Sequence, residues 1–95
     1  MVDIKREVSC GNTLEGNASV TVKPNDEDGI KVEYTEVSGV MPQYAIRQKK
    51  KVEDFVQDAC VKYDIKDAHF IIEDCVSYDC TIKSLIDETL QKAIV

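Results

Sequence analysis

No apolar run in this chain approaches the ~18 residues that a membrane-spanning helix requires, so no membrane partner is expected. Clustered cations are nearly absent as well, with a single basic run, Arg47–Lys51, in a chain of formal charge -6. Binding to a phosphate backbone needs such clusters, so nucleic acid is not an expected partner either. The opening decapeptide, MVDIKREVSC, mixes both signs of charge and has no apolar segment of the kind that exports a chain. A cytoplasmic protein is the expectation. There is one histidine, His69, and no glycine-rich phosphate loop, so the usual catalytic constellations are missing. The four cysteines, Cys10, Cys60, Cys75 and Cys80, offer no pair at zinc-ligand spacing and no adjacent base. In a reducing compartment they are expected to be free thiols, with Cys60, Cys75 and Cys80 behaving as small buried hydrophobes. No metal site is expected.

The 95 residues fit one domain, read here as 1–95, with 1–9 as a flexible lead-in. A chain of this size buries somewhat over ~60% of its unfolded surface, enough for one modest core. The acid excess sets a pI near 4.7.

The hydrophobic pattern divides the chain. In ASVTVKP, Ala18, Val20 and Val22 alternate with Ser19 and Thr21, which is strand period. The polar NDEDG follows, and alternation resumes at Ile30, Val32 and Tyr34, with Lys31, Glu33 and Glu36 assigned to a wet face. Two such runs around a Gly-containing loop predict a β-hairpin. SGVMPQ breaks the pattern. Val52, Phe55, Val56, Ala59, Cys60 and Tyr63 then form one helical stripe, extended back to about Gln43. AHFIIED reads as a buried strand over Ala68–Glu73, followed by a turn at Val76–Ser77 and a short strand near Tyr78–Cys80. Ile82, Leu85, Ile86, Leu90, Ala93 and Ile94 mark a last helix, with Asp79 or Thr81 able to cap it. The predicted class is α+β, a two-layer sandwich of order ββαβ(β)α. Two helices would cover a small antiparallel sheet of three or four strands. Arg47–Lys51 falls early in the first helix, against the helix dipole. It reads either as an exposed charged face or as a docking surface for phosphates or an acidic partner.

Two stretches carry a family resemblance. TLEGNASVTVKP, with Thr13, Leu14 and Glu15, resembles the amino-terminal region of the acyl carrier (gamma) subunit of citrate lyase. IKDAHFIIEDCVSYDC-I, with Asp79 and Cys80, resembles that family's carboxy-terminal block. The resemblance spans about Cys10 to Ala93. It implies a non-catalytic carrier holding 2'-(5''-phosphoribosyl)-3'-dephospho-CoA through a phosphodiester to the serine directly after Thr-Leu-Glu. It also implies citrate lyase alpha- and beta-type subunits and a prosthetic-group transferase as partners. Acetyl and citryl thioesters would ride on the terminal thiol between the catalytic subunits, and tethering would raise their effective concentration at each site.

This chain departs from that pattern at the modified position. Gly16 follows Glu15, and glycine has no atom to esterify. The spacing to Pro24 is one residue short of the family's. Ser19 lies in this window, has a hydroxyl and by period faces away from Ala18 and Val20, which makes it the alternative attachment point, with Ser9 upstream. Two function classes follow. One is an acyl carrier subunit. The other is a diverged, unloaded paralogue that acts as a structural or interaction subunit. An enzyme built on His69 or a cysteine has almost no support in the sequence.

Overall fold

The computed structural model describes residues 2–12, 17–39, 41–75 and 77–94. Six elements follow in chain order: β1 (Val8–Asn12), β2 (Asn17–Lys23), β3 (Ile30–Glu36), α1 (Pro42–Lys62), β4 (Ala68–Cys75) and α2 (Asp79–Ala93). The α+β class and the two-layer arrangement are as the periodicities require. The strand pairing is not.

The sheet order is β1-β2-β4-β3, with β2 antiparallel and β3 parallel to β4. The expected hairpin between β2 and β3 therefore does not exist, because β4 is inserted between them. The physical reason lies in β4. Ala68, Phe70 and Ile72 have no exposed surface, and a strand buried this fully needs hydrogen-bonding partners on both edges. The six residues Pro24–Gly29 reach up to ~20 Å when extended, ample to step over a strand occupying ~5 Å of sheet. That connection is tied down where it crosses. Asn25 Nδ2 donates to the Gly29 carbonyl at 3.0 Å, and Ala68 N donates to the same carbonyl at 3.1 Å. Gly29 sits at φ 101, a conformation open to glycine at little cost. The sheet is thus mixed rather than antiparallel, and β3–α1–β4 is a crossover unit of the kind that parallel strands require.

The true hairpin lies one strand earlier. β1, which the periodicity left unassigned, pairs antiparallel with β2 from Val8↔Val22 to Asn12↔Ala18. Val8 and Cys10 alternate with Ser9 and Gly11, a strand period too short to mark a strand by itself. Ahead of it, where a loose lead-in was expected, Val2 N donates to the Asp64 carbonyl at 2.9 Å and Ile4 is buried. The short strand expected near Tyr78–Cys80 is replaced by the first turn of α2, whose N-cap is Tyr78. Neither Asp79 nor Thr81 caps it; Asp79 is its first helical residue and Thr81 is buried. Glu36, assigned to the wet face, shares the parity of Ile30, Val32 and Tyr34, and its carboxylate accepts from Ser38 N and Oγ.

Both helices pack on one face of the sheet. Val20, Val22, Phe70 and Ile72 meet Val52, Val56, Ile82, Ile86 and Leu90 with no more than 1% exposure. Two carboxylates clamp the helices together. Asp79 accepts from Gln48 of α1, and Asp87 accepts from Tyr63 at 2.7 Å and Lys62 at 3.0 Å. Early residues of α1 meet the start of α2, and late residues meet its middle, so the helices run parallel with both N-termini at one end. Among the described residues no helix is long and apolar enough to cross a membrane.

Two outcomes test this topology. Backbone amides of β2 and β4, the strands paired on both sides, should exchange more slowly than those of β1 and β3. Faster exchange in β4 than in β3 contradicts the order. Phe70→Ala should cost about 3–5 kcal/mol in urea unfolding, the range for truncating a fully buried aromatic ring.

Candidate functional site

Thr13, Leu14, Glu15 and Gly16 lie outside the described residues; Asn12 and Asn17, which flank them, stand at one end of the sheet. Asn12 pairs with Ala18, and Asn17 pairs with Cys75 at the end of β4. Four residues beyond Cys75 comes Asp79. Asn12 and Asn17, which flank the first motif, and the chain leading to Asp79 and Cys80 are therefore neighbours at one end of the sheet. The N-termini of α1 and α2 lie at that end too.

Asp74 organises this end. It is fully buried, in register with Ala18 on one side and Glu36 on the other. Its Oδ2 accepts from the Tyr34 hydroxyl at 2.7 Å and its Oδ1 from Ser77 N at 2.9 Å, while its carbonyl accepts from Val37 N at 2.8 Å. A buried carboxylate is tolerable only with such partners. Burial and then the Asp74 carboxylate push the Tyr34 hydroxyl well above the ordinary phenol range, so it stays a donor. Tyr44 of α1 is pushed up for the same two reasons, in the same order. Ser77 is buried, and its Oγ has no hydrogen-bond partner among the described residues.

Asp79 forms the second node. Gln48, itself buried, donates from Nε2 to Oδ1 at 3.2 Å, and Lys51 Nζ lies 3.0 Å from Oδ2. The hydrogen bond from Lys51, then that from Gln48, holds the Asp79 carboxyl below the usual range. A carboxylate in the first turn of a helix also suits the dipole. The basic run and the Asp79-Cys80 motif are thus in direct contact through Lys51. The run begins at the sixth residue of α1, within the first turns as expected, and past the first turn the dipole weighs on it little. Cys80, expected to be buried, is exposed and Cys75 is half-buried; Cys60 is in the core as expected, its thiol pushed up to about 11 by burial, and Cys10 is buried there too.

Ser19 faces the open side of the sheet, as its period indicated, and is half-buried between Gly11 of β1 and Glu73 of β4. A Cβ at Gly11 would stand 4.0 Å from that of Ser19, so glycine leaves this flank of the serine open. Ser9 is on the same face, its hydroxyl 2.6 Å from that of Thr21. His69 sits on this face as well, 2.8 Å from Glu33, rather than in the core.

These contacts have measurable consequences. Asp74→Ala strands the Tyr34 hydroxyl and the Ser77 amide, and should cost about 2–4 kcal/mol by denaturant unfolding. Tyr34 has a raised value in the folded state, so the fold binds its proton more tightly than the unfolded chain does. Stability should fall as pH rises past about 10, and Tyr34→Phe should flatten that alkaline slope. Asp79 is shifted the other way. Its half-exposed contact contributes at most about 1 kcal/mol at neutral pH, lost as pH falls below the ordinary carboxylate range, and Asp79→Asn should remove that acid-side slope.

Comparison with known proteins covers nearly the whole chain. Residues 5–93 match the ACP family, described as the malonate decarboxylase delta subunit. The citrate lyase acyl carrier protein of Treponema denticola is 29% identical over 92 residues, covering 97% of each chain. The match takes in β1, residues 13–16, the Asp74 node and both helices, and on its extent the chain belongs to the acyl carrier protein family described as the malonate decarboxylase delta subunit.

Proposed function

We propose that this chain is the acyl carrier subunit of a citrate lyase-type complex, presenting a covalently tethered acyl arm to catalytic subunits. The observation that supports this most is the near full-length match to a citrate lyase acyl carrier protein. Asn12 and Asn17, which flank the first motif, and the chain leading to Asp79 and Cys80 also meet at one end of the fold. When bound, a phosphoribosyl-dephospho-CoA group supplies a terminal thiol able to hold an acyl group as a thioester. Everything else asked of the chain is positional. Its two-layer core provides a rigid base, the Asp74 and Asp79 nodes hold both helix starts against the strand ends, and tethering raises local concentration.

Attachment is assigned to Ser19. Gly16, at the family's modified position, has no hydroxyl. Ser19 has one, on the face no helix covers, with Gly11 leaving room beside it. The surroundings fit the bulk of an arm better than its charge, since Glu73 is the neighbour on the other side. The partners in this reading are alpha- and beta-type lyase subunits and a prosthetic-group transferase.

A second reading is favoured by Gly16 together with the half-burial of Ser19 inside a paired strand. In it the chain keeps the carrier fold and its docking role but carries no arm. Co-expression with the prosthetic-group transferase, followed by intact-mass measurement, separates the two. Under the first reading the wild type gains one prosthetic-group mass and Ser19→Ala does not. If the wild type and Ser19→Ala both stay unmodified while Gly16→Ser is loaded, the second reading holds and the assignment of Ser19 fails.

A further inference from the structure

The acids and cations of this chain are not mixed evenly. Residues 41–52 hold four cations and no acid, leaving eight of the twelve cations for the rest of the chain against all eighteen acids. The cations of this stretch lie on the first three turns of α1. Lys51 is committed to Asp79, but Arg47, Lys49 and Lys50 are exposed and enter no ion pair among the described residues. Spacing places Arg47 three and four residues from Lys50 and Lys51, where like charges on a helix repel. Glu53 and Asp54 follow the stretch on α1, three and four residues from Lys50; the acids that approach it from other elements are occupied internally. Asp74 is buried under Tyr34 and Ser77, Asp79 is held by Gln48 and Lys51, and Glu36 accepts from Ser38.

The large apolar side chains left in water gather at the same end. Met41 is 69% exposed, Ile46 70%, Tyr78 70% and Val37 54%, four of the five such residues among those described. Met41 precedes α1, Tyr78 caps α2 and Val37 leaves β3, and their elements are bound together through Asp74 and Asp79. Ile46, Arg47 and Lys50 share the outer face of α1, opposite buried Gln48, Val52 and Val56. Apolar and aromatic residues with arginine, edged by lysine, are the composition of a protein interface rather than of a solvated surface.

We infer that this end of the domain, formed by Met41, Ile46, Arg47, Lys50 and Tyr78, is a docking surface for a protein subunit that presents a carboxylate-rich rim around an apolar recess. Charge complementarity selects that occupant, since the rest of this chain is strongly acidic and a partner with a basic face would be drawn elsewhere on it. The surface lies at the same end of the sheet as Asn12 and Asn17, with α1 over β3 and α2 over β1 and β2, so a docked subunit faces that end of the domain. The inference rests on the carrier reading for the partner's identity, with the catalytic subunits of the complex as the partner.

The experiment titrates the intact chain with each purified catalytic subunit at low and high salt. The variants are Arg47→Glu with Lys50→Glu, Met41→Ser with Ile46→Ser, and Lys66→Glu as an exposed control at the opposite end. The charge-reversed chain should lose at least ~10-fold in affinity at low salt and most of its salt dependence. The apolar pair should lose a similar factor at any salt, and Lys66→Glu should bind as wild type. All four substituted side chains are exposed, so each double variant should melt close to wild type, and affinity lost without a matching fall in melting temperature is lost docking rather than lost folding. Unchanged affinity in both double variants overturns the docking surface and leaves the carrier reading standing. No association of the wild type with either subunit overturns both. A loss confined to binding of inorganic pyrophosphate or of phosphatidylglycerol vesicles, with subunit affinity intact, assigns the cations to a phosphate ligand and overturns the inference.

Discussion

One buried residue, Asp74, joins three parts of this molecule through its carboxylate and its own carbonyl. Asp74 stands at the end of β4, where the central strand, the exit of β3 and the approach to α2 converge, and each is bonded to it. An unpaired charge at that depth costs several kcal/mol, so the carboxylate is stable there only while Tyr34, Ser77 and the strand register remain in place. The requirement works in both directions. The strands fix the donors, and the donors fix where the chain turns out of the sheet and into the second helix.

The asymmetry of the domain follows from this arrangement. One face of the sheet is closed by two parallel helices, clamped through Asp79 near their starts and Asp87 further along. The other face is open and largely polar, with Ser9, Ser19, Thr21, Glu33, His69 and Glu73 around a half-buried Ile71. The far end of the molecule is tied by Val2 to Asp64 and by Gly29 to Ala68. The near end gathers both helix starts, Asn12 and Asn17, the exposed apolar side chains and the exposed cations of α1. A subunit that only presents an attached group to other proteins has use for such a division into scaffold and docking end. Acid–base groups of its own are not part of that task.

The helices were legible because a 3.6-residue stripe of large apolar side chains can be buried on one side only by a helix. α1 begins one residue before the expected start, at Pro42, which suits a first helical position. The faces of the strands were legible from their own period, and Ser19 points where its parity required. Pairing was not legible, because alternation shows which side of a strand is buried but not which strand lies beside it. NDEDG looked like a hairpin turn on local chemistry alone. The counter-signal was the nearly continuous apolar run of β4 and the helix preceding it, a β-α-β pattern that implies a parallel crossover. At the site, the approach of Asn12 and Asn17 to the chain before Asp79, and of Lys51 to Asp79, depends on that topology, so no local reading reached it. Gln48, a polar residue on a buried helix face, hinted at a partner without naming it. Asp74 was hidden inside an acidic turn, where a buried carboxylate and an exposed one look alike in sequence.

The measurement that bears most directly on a carrier role is the state of the chain in its own cell. Native purification at low salt, followed by intact mass and sizing, reports cargo and company together. A carrier subunit is recovered with catalytic subunits and is heavier than its sequence by one prosthetic group. An unmodified chain that elutes alone, from cells whose lyase complex is intact and contains another carrier, contradicts that role.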